Sequence, residues 1–261
     1  MNPDGPARGA TKRRPVGSVT RAIALLDALA ESESGLGVNE LARRIGVNAS
    51  TASRLAATLE QAGLVERGPD GGPYRLGLRL VALSDRVLSR LDVRQRARPL
   101  LTALAEQTGE TATLSVPSGG EAVTVDFVPS GSSVVSMARL GRPSILHATA
   151  VGKIVLAFDR GWAQSGIADL ALIAYTDKTI TEPSGLEEEI RGVRERGYAE
   201  ALGERESDLG ALAAPVFGRG GELQAVLGLQ GPVARLPAAT RRALRIPLLE
   251  ASAELERLLG A

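Results

Sequence analysis

Val38-Asn39-Glu40-Leu41-Ala42-Arg43-Arg44-Ile45-Gly46-Val47-Asn48-Ala49-Ser50-Thr51-Ala52-Ser53-Arg54-Leu55, continued by Ala56 to Val65, is the stretch on which the fold turns. Asn39 suits the N-cap of a short helix with Leu41, Ala42 and Ile45 on one side, and Gly46 ends it as a C-terminal glycine does. A turn of three to four residues then leads to a second helix. On a helical wheel of about 100° per residue, Ala52, Leu55, Ala56 and Leu59 fall together, with Ser50, Thr51, Ser53, Arg54, Ala57, Thr58 and Gln61 opposite. The pattern reads as a helix-turn-helix. A solvated helix face ordinarily carries Glu and Lys pairs, whereas this polar face begins with hydroxyls and one arginine. Short Ser and Thr side chains let a helix approach a duplex and donate to phosphates or base edges, and an arginine can grip guanine with two hydrogen bonds. Helix-turn-helix pairs also occur in folds that never touch nucleic acid, so a Ser/Thr-rich helix of an all-α domain is the bland alternative.

With 261 residues, 44% of them apolar, the chain can bury one large or two modest cores, and two domains are expected. Formal charge is +1 overall, but its distribution is uneven: residues 1–94 hold 14 Lys+Arg against 10 Asp+Glu, and residues 95–261 hold 17 against 20. The basic excess sits with the candidate DNA reader, as a phosphate backbone requires. Zero cysteines exclude disulfides, thiolate metal sites and a cysteine nucleophile, and with one histidine no structural zinc site is expected. No apolar signal region lies near the amino end, and the stretch from Ile145 to Phe158 is too short to span a bilayer and is broken by Lys153. A cytoplasmic protein without membrane contact is expected.

Residues 1–17, rich in Pro and Gly, read as a disordered tail given a basic charge by Lys12, Arg13 and Arg14. From Ser18 onward Val19, Ala22, Ile23, Leu26, Leu29 and Ala30 recur at helical spacing, which predicts a first helix packed on the helix-turn-helix pair. After Leu64-Val65, two short extended pieces flank the turn Gly68-Pro69-Asp70-Gly71-Gly72-Pro73 and read as a β-hairpin. In this position the hairpin is a wing, and Arg67 and Arg75 border its tip, where they can reach phosphates. Residues 78–94 return to helical period with Leu80, Leu83, Val87 and Leu91, a linker helix whose apolar stripe needs a partner.

The residues Ser18-Val19-Thr20-Arg21-Ala22-Ile23-Ala24-Leu25-Leu26, Ser50-Thr51-Ala52-Ser53-Arg54-Leu55, Leu59-Glu60-Gln61-Ala62-Gly63-Leu64-Val65 and Tyr74-Arg75-Leu76-Gly77 resemble the IclR family of bacterial transcription regulators. So do His147-Ala148-Thr149-Ala150-Val151-Gly152-Lys153, Arg196-Gly197-Tyr198-Ala199, Ala213-Ala214-Pro215-Val216-Phe217 and Gly231-Pro232, in the family's order. The resemblance covers nearly all of residues 18–259. It implies an α+β chain: an N-terminal winged helix-turn-helix over residues 18–77, the linker helix over 78–94, and a GAF-like effector-binding domain with a mainly antiparallel sheet over 95–261. The candidate DNA-binding residues are then Arg21, Asn48, Ser50, Thr51, Ser53, Arg54, Arg67 and Arg75. The implied partners are double-stranded DNA carrying a near-palindromic operator, a small-molecule effector, and further copies of the chain as a homodimer or dimer of dimers. No cofactor is implied. Repression is the expected outcome, with activation as the alternative.

The second half supports such a domain by its own pattern. Thr111 to Val116 and Ala122 to Val128 alternate about a Pro-Ser-Gly-Gly turn, Val134 to Leu140 is a third strand candidate, and Ala211 to Phe217 pairs with Leu223 to Leu229 around Gly218-Arg219-Gly220-Gly221. Helices are expected from Thr149 to Phe158, from a capping box at Ser184-Gly185-Leu186-Glu187 to the residue before Gly197, and from about Pro237 to Leu259. The family resemblance places an effector at Ala150 and Val151, at Ala211 starting the fourth strand, and at Gly228 and Gln230 on the fifth. Many relatives present an acidic residue, a cysteine and serines there; this chain has Ala201, Ala211, Gly228 and Gln230, a less polar pocket that leans toward a larger or more apolar effector.

Catalysis has little support. His147 has no Ser/Asp pattern beside it and reads as a satisfied core histidine. Lys153 can serve a carboxylate ligand or anchor its helix through an ion pair, and Glu204, Glu206 and Asp208 read as a solvated loop. Two other readings stay open: a small-molecule-binding or enzymatic domain with an appended helical module, and a ligand-independent DNA-binding scaffold.

Overall fold

The computed structural model of the chain describes residues 16–68, 71–88, 92–132, 140–141, 143–167 and 170–260. Most of the expected tail and all but Leu140 of the expected third strand lie outside them; Leu140 sits in a turn, and Gly17 begins a helix rather than ending the tail. The chain divides between residues 89 and 90 into two compact units.

The first unit packs α1 (Gly17–Ala30), α2 (Val38–Arg44) and α3 (Ala49–Gln61) against a hairpin of β1 (Val65–Arg67) and β2 (Tyr74–Leu76). The hairpin is antiparallel, with Val65 opposite Leu76, and Leu36 exchanges two backbone hydrogen bonds with Tyr74 at 2.9 Å. Leu41 and Ala42 of α2 and Ala52, Ala56 and Leu59 of α3 bury together with Val65 and Tyr74, which is the apolar side read from the sequence. Two expectations change. Gly37, not Asn39, occupies the N-cap of α2, so Asn39 lies within the first turn. In α1 the buried residues are Leu25, Ala28 and Leu29, while Val19 and Ile23 stay 55% and 54% exposed. The run Ala22 to Ala30 is apolar on nearly every side, so helical spacing alone does not select the face that packs. After Gly77, α4 (Arg79–Leu88) begins the linker, and Arg79 Nη1 donates to Ala62 O at 2.6 Å.

The second unit is a five-stranded antiparallel sheet in the order β4-β3-β7-β6-β5. Its strands are β3 (Thr111–Ser118), β4 (Glu121–Val128), β5 (Ala199–Leu202), β6 (Leu209–Phe217) and β7 (Leu223–Pro232). Helices α5 (Asp92–Thr108) and α9 (Ala238–Leu259) cover one face; α6 (Ala150–Phe158) and α8 (Pro183–Arg196) cover the other, with α7 (Arg160–Ser165) beside α6. Ile154, Val155, Leu186, Ile190 and Val193 bury against Ala199, Ala201, Ala213 and Val226, and the alternate residues Leu212, Ala214 and Val216 turn to the α5 and α9 layer. This is the α+β architecture expected.

Here too the details differ. Helix α5 runs through the expected boundary at Arg94 and carries Pro99 inside it, a residue that reads in sequence as a breaker. Strand β5 went unread because its four residues, Ala-Glu-Ala-Leu, lack strand propensity. Strand β6 starts at Leu209, so Ala211 is its third residue. Glu182 caps α8 without a side-chain bond and Pro183 opens it, which places Ser184 inside the helix rather than at a capping box. No described helix is long and apolar enough to cross a membrane.

Candidate nucleic-acid interface and effector pocket

Helix α3 presents Ser50, Ser53, Arg54, Ala57, Thr58 and Gln61 to solvent, with Thr51 half-buried. Asn48 is its N-cap: Oδ1 accepts from the Thr51 amide at 2.8 Å. That bond stabilises a helix by about 1 kcal/mol and leaves the amide nitrogen of Asn48 and one lone pair of Oδ1 for an outside partner. The Arg54 guanidinium makes no hydrogen bond or ion pair among the described residues, whereas Thr58 Oγ1 donates to the Arg54 carbonyl at 2.9 Å.

By contrast, Arg43 and Arg44 on α2 are both tied to Glu40, at 2.6 and 2.9 Å. The hydrogen bond from Arg43 and then that from Arg44 lower the Glu40 carboxyl to about 2. The wing arginines also differ from each other. Arg67 donates to Gly72 O at 3.4 Å and lies over the Tyr74 ring at 5.2 Å, while Arg75 is exposed and unpaired among the described residues. Arg21 is exposed on α1. A helix with a free, exposed arginine amid short hydroxyls, flanked by a hairpin with a second free arginine, can approach an anionic groove without first breaking ion pairs.

In the second unit, Ala150 and Val151 are the first residues of α6, where backbone amides lack intrahelical acceptors and favour an anion. Thr149 caps the helix, its Oγ1 accepting from the Gly152 amide at 3.0 Å and donating to Ile145 O at 2.7 Å. A Cβ on Gly152 would sit 2.5 Å from Ile145 O and from Leu146 Cα, so glycine is what lets the helix start lie against that backbone. Register brings the other three expected residues to the same sheet face. Ala211 and Gln230 are partners across β6 and β7, and Gly228 lies opposite Ala213 on β6 and Thr113 on β3. A Cβ at Gly228 would meet Thr113 Oγ1 at 2.5 Å and Val151 Cγ2 at 3.8 Å.

Thr113 therefore lies beside Gly228 on this face, a neighbour that the sequence reading did not name. It is 5% exposed, and its hydroxyl makes no hydrogen bond among the described residues. On the same strand face Thr111 Oγ1 accepts from the Ser130 amide at 3.2 Å, and Ser115 Oγ lies 3.2 Å from Thr124 Oγ1. The sheet face beside the start of α6 carries alanines from β5 and β6, while β3 supplies a row of hydroxyls. The signal was present in the period-two pattern Thr111, Thr113, Ser115.

Residues 18–69 match the IclR helix-turn-helix domain, and residues 85–257 match the C-terminal domain of the bacterial transcriptional regulator IclR. The chain belongs to the IclR family of bacterial transcriptional regulators. It is similar to the transcriptional regulator XynR of Escherichia coli, at 31% identity over 93% of this chain and 97% of that one. It is also similar to the glycerol operon regulatory protein of Streptomyces griseus, at 33% identity over 95% and 98%. Among solved structures, the IclR regulator from Alicyclobacillus acidocaldarius superposes with a TM-score of 0.81 at 27% identity, over 94% of this chain and 100% of that one.

An IclR-family regulator binds DNA with its helix-turn-helix domain and an effector with its C-terminal domain, and the histidine and the buried lysine of this one are held in internal contacts. His147 is 2% exposed, with Nε2 2.9 Å from Ile173 O and its ring 5.9 Å from that of Tyr175: the core histidine expected. Lys153, also 2% exposed, donates to Glu204 Oε1 at 2.7 Å, Glu200 O at 2.9 Å and Glu189 Oε1 at 3.4 Å. All three of its donors are engaged, which decides between the two sequence readings in favour of the ion-paired anchor. Glu206 and Asp208 are exposed as expected, but Glu204 is not a solvated loop residue.

Proposed function

We propose that this regulator is an effector-controlled repressor that acts in the cytoplasm as a homodimer or a pair of dimers on a near-palindromic operator. The observation that carries the reading is the free Arg54 guanidinium on an N-capped helix, where the arginines of the preceding helix, Arg43 and Arg44, are both tied to Glu40. Base readout rests with Arg54, Ser50 and Ser53; backbone positioning rests with Arg75, Arg67, Arg21 and Thr51. Self-association is supported by the exposed apolar side chains Val16, Val19 and Ile23 at α1 and Leu78, Val81 and Leu83 at the linker.

The effector is an acid. Its carboxylate sits at the Ala150 and Val151 amides, its body lies on the wall formed by Ala201, Ala211 and Ala213, and Thr113 and Gln230 meet its polar substituents. Glu200 of β5 is taken up by Arg241, and with only Ala201, Ala211 and Ala213 on the wall itself, the wall suits an aromatic or branched acid better than the smallest keto acids. Binding shifts the DNA equilibrium only to the extent that the acid prefers one arrangement of the dimer.

Footprinting on the DNA upstream of the protein's own coding region, with and without aromatic and short keto acids, tests the reading. A protected near-palindrome that an aromatic acid releases is the expected result. Protection no better than on random competitor overturns the reader, and release by the smallest keto acids alone overturns the assigned pocket.

A further inference from the structure

We propose that Ala57 sets part of the base preference of the DNA reader: its methyl group meets the 5-methyl of a thymine one base pair away from the guanine that Arg54 holds. The assignment rests on α3 being the helix that enters the groove, and it adds to that reading a base identity in the operator.

Helix α3 has one packed face and one crest. Ala52 and Ala56 are 0% exposed and Leu59 is 8% exposed, so this side is closed off by its own unit. At about 100° per residue, the direction opposite falls on Ser50, Arg54, Ala57 and Gln61, and all four are exposed. Side chains at that spacing stand in one row, the arrangement by which a helix lying in the major groove presents its base contacts. Glu60, the one carboxylate of α3, lies about a quarter turn from the row, so the row itself carries no charge that repels phosphate.

The side chains of the row differ in what they can read. Arg54 makes no hydrogen bond or ion pair among the described residues, and its fork suits guanine O6 and N7. Ser50 offers a hydroxyl, which serves several bases, and Gln61 closes the helix at its far end. Ala57 has neither donor nor acceptor, so a polar base edge pressed against it would lose its water without replacement. The apolar group that the major groove displays is the thymine 5-methyl, and thymine is therefore the base that suits this position. Three residues advance a helix by about 4.5 Å and one base pair advances a duplex by about 3.4 Å, which puts Ala57 over the base pair next to the one under Arg54. The neighbouring methyl belongs to Thr58. Its Oγ1 donates to Arg54 O at 2.9 Å, which turns the side chain back along the helix, and it stands about 100° round from Ala57.

Selection of bound duplexes from a randomised pool by the intact protein tests the assignment, followed by replacement of each enriched thymine with uracil, which removes only the methyl. A guanine with a thymine at the next base pair, on either strand, should be enriched. Uracil at that thymine should weaken binding by about fourfold, the loss of one buried methyl contact. In Ala57→Gly the thymine and uracil duplexes should bind alike, whatever the overall affinity of the variant. Ala57→Ser, which puts a hydroxyl in the contact at less cost to the helix, should also bring the ratio close to one. Thr58→Ser removes the other methyl on this side, keeps the bond to Arg54 O, and should retain the full ratio. Equal binding of the thymine and uracil duplexes by the unsubstituted protein overturns the proposal, as does an enriched site without thymine beside the guanine. A ratio that survives in Ala57→Gly, or disappears in Thr58→Ser, overturns it too; if the glycine variant fails to fold, Ala57→Ser decides. A pool that yields no enriched sequence overturns the DNA reader as a whole, whereas an enriched site without methyl dependence overturns the role of Ala57 alone.

Discussion

Arg54 and Arg75 are both exposed and both free of ion pairs, yet one stands on α3, the reading helix of the proposal, and the other on the hairpin. Arg54→Ala should therefore cost about 1–3 kcal/mol at the operator and little on random DNA, whereas Arg75→Ala should weaken both and lower the salt slope by about one. Titration of operator and random duplexes across a salt series separates the two. Equal, sequence-independent losses would deny Arg54 its base contact. Arg67 should matter less than Arg75, since Gly72 O and the Tyr74 ring already hold it.

Glu40 sets the background against which these contacts count. Its carboxyl is lowered to about 2, first by the hydrogen bond from Arg43. A depressed carboxylate contributes its interaction above the ordinary pKa and loses it only as pH falls through the folded value, so the tie to Arg43 and Arg44 persists across the physiological range. Glu40→Gln should release Arg43, leave Arg44 with only Glu31 at 4.0 Å, and steepen the salt slope of random-duplex binding by about one. An unchanged slope would show that α2 stays clear of the phosphates. On the sheet face of the proposed effector site, Gly228→Ala forces a Cβ against Thr113 Oγ1 and should cost about 1–3 kcal/mol by overpacking. Thr113→Ala in the same chain should recover most of that in thermal unfolding, and a purely additive pair would mean the two residues do not touch.

Helix α6 shows how propensity and packing compete within one element. Alanine is a better helix former than glycine by about 1 kcal/mol, which taken alone makes Gly152→Ala stabilising. Here the added Cβ meets main-chain atoms of Ile145 and Leu146 at 2.5 Å, and backbone cannot swing aside as a side chain does. A net cost of about 1–3 kcal/mol is expected, with weaker effector binding because the Ala150 and Val151 amides move; a raised melting temperature would refute the tight seat. What could be read in advance follows the same division. Helix α3, the wing and the α8 stop at Gly197 were legible because their signals are local: a two-sided wheel, a turn dense in glycine and proline, a glycine in the left-handed region at φ +76°. The face of α1 was not, since its sequence is apolar nearly all round. Strand β5 was hidden in four residues of weak propensity, and α5 behind Pro99. Ala150, Val151, Ala211, Gly228 and Gln230 were gathered by family likeness, but Thr113 joins them only through the register of β3 on β7. Lys153 found its partners 36 and 51 residues away, beyond any periodic pattern.

At the scale of the whole molecule, the exposed apolar side chains of the reader unit ask for a partner. Val19 and Ile23 on α1 and Leu78 and Val81 at the linker leave between 54% and 78% of their surface in water, and a monomeric protein rarely exposes so many apolar groups on adjacent elements. A second copy, as proposed, would cover them at a gain of about 25 cal/mol per Å² of apolar area, which offsets the loss of translational freedom only when the covered area is large. Charge placed in that surface should thus break the assembly while sparing each unit's own core, because none of the four side chains is buried in it. Val81→Asp and Ile23→Asp should shift the sedimenting mass toward one chain with an unchanged circular dichroism spectrum. A single reader then contacts one half-site, so the operator salt slope should fall to about half and affinity by several orders of magnitude. Effector binding in the C-terminal unit should persist in these variants while its influence on DNA disappears, since coupling needs two readers held at a set separation. Full mass and full operator affinity in both variants would place the contacts between copies elsewhere.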